Sequence, residues 1–405
     1  MNKRLIGLLV WLAAAFTLTA GTRIIPVAGH SAGANGTSWV TDVSLTNNDA
    51  RTNTVALLFH ADNGATVSRT VTLPANGSLL LGDAVRPDSF TGANPLNWIG
   101  QLELRSSGNV SASARTFTGA PNGGTYGSAY ESFDPAVLSQ EGAMSGLIHG
   151  RGFRSNIAYA NAGNALAIVS YTVRGENGTM LAKNQLAVAA HTTVQISLSR
   201  DIAPFGDDAR VMVEWSSTAP LYAIASVIDN RSNDPTNIPS VNSATELFFP
   251  VVGRTNGAAS TFWSTSAAVG NRSDVAGTVT FAYRDDAGGR LYTKTVNIPA
   301  HGSITAEDLN AFVGANAGSG SLTITSTVRV VATVRVFNTQ ADGSTFGSAL
   351  FAQDNAVRSS LVTIQGVRRD DSYRLNVSLS SPSGATDGTV RLRDDNGAEV
   401  EVEPF

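Results

Sequence analysis

Val330-Val331-Ala332-Thr333-Val334-Arg335-Val336-Phe337, running into Ser344-Thr345-Phe346-Gly347-Ser348-Ala349, decides the fold, because the chain carries the same text earlier. The earlier version is Val110-Ser111-Ala112-Ser113-Ala114-Arg115-Thr116-Phe117, followed by Gly124-Thr125-Tyr126-Gly127-Ser128-Ala129. An internal repeat has to be recognised before any local reading, since it sets the unit that folds.

Outward from these closing segments the agreement continues. Each copy opens on a β-branched strand with a small-residue bend: Ile24-Ile25-Pro26-Val27, Gly146-Leu147-Ile148, Phe249-Pro250-Val251-Val252 and Leu361-Val362-Thr363-Ile364. An aromatic then begins a second strand, at Trp39, Phe153, Trp263 and Tyr373, spaced by 114, 110 and 110 residues. That strand ends on Asn47, Asn161 or Asn271. A third strand runs into a turn at Asn63-Gly64, Asn177-Gly178 or Gly288-Gly289, residues that tolerate positive φ and so mark hairpins. Matching corners follow at Pro74-Ala75-Asn76-Gly77-Ser78, Ala189-Ala190-His191-Thr192-Thr193 and Pro299-Ala300-His301-Gly302-Ser303. Only copy two changes its ending, to Ala223-Ile224-Ala225-Ser226-Val227-Ile228-Asp229-Asn230 and then Asp234-Pro235.

Short strands separated by regular turn signals predict an all-β protein of tandem immunoglobulin-like antiparallel β-sandwiches. Alternation in Gln101-Leu102-Glu103-Leu104-Arg105 and Val211-Met212-Val213-Glu214-Trp215 gives each sheet one buried and one wet face. The aromatic at Trp39 and its equivalents is expected to plug the core. Short capped turns are expected near Asp83-Ala84-Val85, Ser199-Arg200-Asp201-Ile202 and Thr305-Ala306-Glu307-Asp308-Leu309.

The boundaries predicted are a signal peptide over 1–20, modules over 21–137, 138–243 and 244–357, and an incomplete last module over 358–405. Asn2-Lys3-Arg4, the apolar run Leu5 to Phe16 and the small Ala20 make the export signal, expected to be helical and removed, leaving no membrane span. The 405 residues include no cysteine, so packed cores and sheet hydrogen bonds must hold each module. A net charge of −4 supplies no basic field for nucleic acid. The open edges of the incomplete module predict either a fragment or a partner that completes it by strand addition.

Chemistry is sparse. Gly29-His30-Ser31-Ala32-Gly33 matches the nucleophile elbow of serine hydrolases, but Ala34-Asn35-Gly36-Thr37 reads as a turn where the elbow needs a helix. Copy three has Gly253-Arg254-Thr255-Asn256-Gly257 there, without serine. His30, His60, His149, His191 and His301 lie far apart with no paired spacing, so no metal site is expected. His191 and His301 share a corner position and read as polar corner residues. The acidic doublets Asp207-Asp208, Asp285-Asp286, Asp370-Asp371 and Asp394-Asp395 read as solvated turns, lacking a calcium-loop pattern. Sequons at Asn35 and Asn177 matter only in a glycosylating host.

The whole pattern, an I-P-V-V opening, a W-x-T strand, an Asn-ended turn, an L-P-A-x-G-S corner and an A-R-x-F…G-T-x-G ending, resembles tandem immunoglobulin-like modules of exported bacterial proteins of unassigned function. The resemblance implies a non-catalytic surface stalk, spacer or adhesive array, with linkers near Pro135 and Asn242-Ser243-Ala244, secreted to the periplasm, cell surface or exterior. Its partner would be a surface glycan or protein; no cofactor or catalytic residue is implied. A second reading is a glycan- or peptide-binding module accessory to a secreted enzyme, using Trp98, Tyr126 and Phe346 as exposed rings. The third is a serine hydrolase through Gly29, Ser31 and Gly33.

Overall fold

Alternating β-branched and small residues pair into eight strands in the first repeat: β1 Thr22–Ala32, β2 Ser38–Asn47, β3 Asn53–Ala61, β4 Thr66–Leu73, β5 Ser78–Leu81, β6 Trp98–Ser106, β7 Val110–Gly119 and β8 Thr125–Glu131. The computed structural model describes residues 21–33, 36–86, 90, 98–120, 123–200, 208–257, 260–352, 363–367, 376–381 and 387–404. The export segment, Tyr373, Leu361-Val362 and the doublet Asp370-Asp371 lie outside the described residues.

The second repeat holds β9 Ser139–His149, β10 Phe153–Asn161, β11 Ala167–Gly175, β12 Met180–Val188, β13 Thr192–Ser197, β14 Ala209–Asp229 and β15 Pro235–Pro239. The third holds β16 Ala244–Asn256, β17 Phe262–Asn271, β18 Gly277–Asp285, β19 Leu291–Ile298, β20 Ser303–Ala306, the short helix α1 Leu309–Val313, β21 Gly318–Thr339 and β22 Thr345–Leu350. A hairpin of β23 Thr389–Arg393 and β24 Glu399–Pro404 follows. The helix sits where a capped turn was expected: Asp308 Oδ1 accepts Ala311 N at 3.1 Å, and Gly314 closes it at φ 75°.

All strand pairing is antiparallel, and each repeat divides into two half-sheets. In repeat 1, β4-β3-β6-β1 forms one and β5-β2-β7-β8 the other, joined where Ser31 pairs with Trp39. In repeats 2 and 3 a single strand runs through both halves: β14, of 21 residues, and β21, of 22. Its middle is exposed at Ser216, Thr218 and Pro220 in one repeat and at Thr325, Thr327 and Arg329 in the other, where it passes between the halves. The inward faces fill with Val55, Leu57 and Phe59, with Val169, Tyr171 and Val173, and with Val279, Phe281 and Tyr283, all buried. Each such side chain contributes roughly 1.5–3 kcal/mol on burial, which replaces the disulfides the chain lacks.

The repeated aromatic does not plug this core. Trp39, Phe153 and Trp263 are each half-buried. In repeats 1 and 3 the tryptophan lies over the hairpin between the first two strands, closed by Gly33 N to Thr37 O at 2.8 Å and Gly257 N to Thr261 O at 2.8 Å. A Cβ on Gly33 would lie 2.3 Å from Trp39 Nε1, and one on Gly257 2.4 Å from Trp263 Nε1, so ring and glycine are built for each other. The residue two places on takes the inward position instead. Thr41 and Thr265 are buried and latch the opening strand through Gly29 and Gly253, while Ser155 bonds Ile148 O.

The opening bend is a register shift against the partner strand, β6, β14 or β21, between Ile25 and Ala28 in β1, at Ser145-Gly146 in β9 and between Phe249 and Val252 in β16. Proline fits there because a bulge frees it from donating to the ladder. The bulge also meets the next repeat, through its backbone in β1 and through a side chain in β9. Thr193 Oγ1 donates to Pro26 O at 2.8 Å, and Ser145 Oγ donates to Ala268 O at 3.1 Å. Gly366, at φ 68°, meets Ser44 and Ser113 of repeat 1 much as Gly146, at φ 79°, meets Ala268 and Thr333 of repeat 3.

Candidate functional site

Three equivalent edge strands, β8, β15 and β22, come together, so the closing segments that define the repeat are also where the repeats meet. Copy two's altered ending lies between the other two. Ser128 Oγ donates to Pro235 O at 2.6 Å, and Asn237 Nδ2 donates to Ala129 O at 3.0 Å. On the other side Ser232 Oγ donates to Thr345 O at 2.9 Å, and Arg335 Nε donates to Thr236 Oγ1 at 2.9 Å.

Two acids unique to copy two organise the contact. Asp229, buried, accepts Arg231 N (2.8 Å) and Ser232 N (3.1 Å) on Oδ1 and Thr345 N (2.9 Å) and Oγ1 (2.8 Å) on Oδ2. Its carboxylate therefore has all its acceptor capacity in use. Asp234 accepts Gly347 N at 3.0 Å and also binds the backbone N–H of Gly127, so one side chain ties repeat 1 to repeat 3. Burial pushes its carboxyl up to about 6, against those hydrogen bonds and the nearby Arg335 charge.

The three rings expected to face a ligand are placed differently. Trp98 is 1% exposed and packs edge-on to Phe59 with centroids 5.2 Å apart, inside the first core. It was misread because it follows a polar, proline-containing stretch. Tyr126 and Phe346 are half-buried and stack on each other.

Gly29 to Ala32 of the elbow motif lie within β1, Gly33 opens the hairpin turn, and the chain returns as β2 from Ser38. Ser31 Oγ donates to Ala32 O at 3.1 Å, while His30 Nδ1 pairs with Asp83 at 2.9 Å, so the serine and histidine are not hydrogen-bonded to one another. The corner residues Asn76, His191 and His301 all adopt left-handed backbone, φ 53°, 55° and 52°. Acidic doublets serve turns: Asp285 Oδ1 accepts Ala287 N at 2.9 Å, and Asp394 Oδ1 accepts Asn396 N at 2.9 Å. Among the described residues the fold gathers one set of ligand-type side chains that spacing did not reveal: His60, Glu103 and His191.

The buried asparagines explain the third landmark. Asn271 Nδ2 donates to Val275 O (2.8 Å) and Pro299 O (2.9 Å), and its Oδ1 accepts Ser273 N (2.8 Å). Asn161 repeats this with Ala165 O (2.8 Å), Val188 O (3.0 Å) and Gly163 N (2.9 Å). Asn47 does so with Arg51 O (2.7 Å), Pro74 O (2.7 Å) and Asp49 N (3.0 Å). These are structural clamps between loop and corner.

Comparison with known proteins adds little. No family model matches the chain, and no curated protein matches it. One solved structure, described as "Crystal structure of tetra-tandem repeat in extending region of large adhesion protein", aligns at 15% identity over 79% of this chain and 75% of that one, with a TM-score of 0.12. Among the described residues no helix is long and apolar enough to cross a membrane.

Proposed function

We propose that this chain is an exported, non-catalytic array of immunoglobulin-like sandwiches that serves as a rigid surface spacer or adhesive element. The observation that carries the reading is copy two's ending, whose Asp229, Asp234 and Thr236 are given over to holding repeats 1 and 3. The segment expected to link copies two and three is also tied down: Val241 N bonds Ala143 O at 3.3 Å, and Arg329 holds the Ser243 carbonyl. Strand number, antiparallel pairing and apolar filling between half-sheets support the immunoglobulin-like assignment. The strand that continues from one half into the other is the feature in which these repeats depart from that plan.

Small-angle scattering of the mature chain tests the spacer reading: one particle of fixed dimensions at low and high salt is expected, and a broad ensemble of inter-repeat distances overturns it. A panel of fluorogenic esters, glycosides and peptides tests the absence of catalysis. Turnover that disappears in Ser31→Ala would establish a hydrolase instead. Glycan-array binding lost in Tyr126→Ala would favour the ligand-binding alternative.

A further inference from the structure

We propose that His60, Glu103 and His191 form a divalent transition-metal site, of the kind that takes zinc, across the junction of repeats 1 and 2. The three come from separate elements: β3, β6 and the corner between β12 and β13. Their ligand atoms lie within 4.8 Å of one another, and His60 and Glu103 are 8% and 6% exposed. His60 Nε2 already sits 3.0 Å from Glu103 Oε2, and the two imidazoles stack with centroids 5.1 Å apart.

Each far atom of the trio is held by an outer partner. His60 Nδ1 lies 3.0 Å from Thr66 Oγ1, His191 Nε2 lies 2.8 Å from Asn164 Oδ1, and Arg105 Nε donates to Glu103 Oε1 at 2.6 Å. That leaves His60 Nε2, Glu103 Oε2 and His191 Nδ1 to converge, with ring orientation fixed from behind, as metal-binding histidines require. Two imidazoles and a carboxylate suit zinc, and three protein ligands leave its fourth position to water. Tetrahedral binding must draw the donors closer, tilting the stacked rings apart.

The next junction supplies an internal comparison. There the register that pairs Glu103 with Leu58, two residues before His60, pairs Glu214 with Thr172, two before Arg174. Arg174 Nε donates to Glu214 at 2.6 Å, His301 Nδ1 lies 3.1 Å from the same carboxylate, and His301 Nε2 lies 2.8 Å from Asp274. The second junction thus carries a permanent guanidinium where the first offers an imidazole nitrogen. It also docks a turn that the first does not: Ser303 N bonds Glu176 O at 2.8 Å, whereas a Cβ on Gly64 would meet nothing within 4 Å. A metal at the first junction would add the cross-link, on the Glu103 oxygen that Arg105 does not hold.

The test uses the chelator-washed full chain titrated with zinc or cobalt(II). Expected are one saturable site, a rise in melting temperature with zinc, and visible cobalt absorption typical of low coordination number. His191→Ala should lower affinity at least roughly 10–100-fold, while His301→Ala leaves it unchanged. His60→Arg rebuilds the arrangement of the second junction, so it should fold and lose the metal. The site is overturned if the wild type shows no saturable binding at about 100 µM zinc, or if His60→Arg retains wild-type affinity.

Discussion

Tyr126 of repeat 1 stacks on Phe346 of repeat 3, with ring centroids 5.4 Å apart and planes inclined by 27°. The two stand at the same place in their copies, opposite Thr118 and Asn338, and copy two, which lies between, has Asp234 there, opposite Asp229. In place of a third ring, the Asp234 carboxylate accepts the backbone N–H of the residue that follows each ring, Gly127 and Gly347.

A double-mutant cycle on this pair should therefore show coupling. Tyr126→Ala and Phe346→Ala are each expected to destabilise the chain, with the double variant less costly than the sum by about 0.5–1.5 kcal/mol. Denaturant midpoints measure it. Strict additivity would mean that the rings do not support one another in solution.

Replacing a buried clamp asparagine should cost more than any surface change. Asn271→Ala leaves Val275 O, Pro299 O and Ser273 N without their side-chain partner inside the fold. A loss of about 2–4 kcal/mol is expected, with the denaturant slope unchanged. Asn271→Asp should fare no better, because an ionised carboxylate cannot donate to the two carbonyls.

The turn glycines permit a controlled test of inter-repeat docking. Gly64 and Gly178 share φ 85°, so alanine brings the same backbone strain to both. Only at Gly178 would the new Cβ meet a neighbour, 2.3 Å from Ala300 O of repeat 3. Gly178→Ala should thus exceed the roughly 1 kcal/mol cost of Gly64→Ala by a similar amount again. Gly397, at φ 84°, would meet Ala75 O of repeat 1 at 2.7 Å, and Ser78 N bonds Asp395 O at 2.9 Å, as Ser303 N bonds Glu176 O. Gly397→Ala is accordingly expected to free the β23–β24 hairpin, seen as faster amide exchange at Ser78.

The sequence showed what is local and periodic. Strand order, turn positions, the capped turn at Asp308 and the corner that accepts His191 and His301 all follow from patterns within one repeat. The aromatic was misplaced because a large ring at a strand start outweighed the threonine two residues on, although Thr41 and Thr265 carry the inward position and that W-x-T spacing was visible. Contacts between repeats left no local trace. Asp229 and Asp234 read as an altered ending, and His60 and His191 as histidines too far apart in sequence to pair, because only the junctions bring their partners near.

Asp234 should give the chain an unusual pH signature. Its carboxyl rises from the ordinary 3.8 to about 6 mainly through burial, so between those values the folded state holds a proton that the unfolded chain has released. Folding is then favoured by this group below pH 4, and the advantage is lost as pH climbs toward 6. Acids such as Asp49, whose carboxyl is held low by hydrogen bonds from Asn53 and Asn109, act in the opposite sense, so the whole-protein curve mixes both. The difference between wild type and Asp234→Asn isolates the contribution. The variant, which does not ionise, should gain about 1–3 kcal/mol on wild type between pH 4 and pH 6.5. A difference that is flat across that interval would show Asp234 to be ionised throughout, held in that form by the Gly347 and Gly127 amides and Arg335.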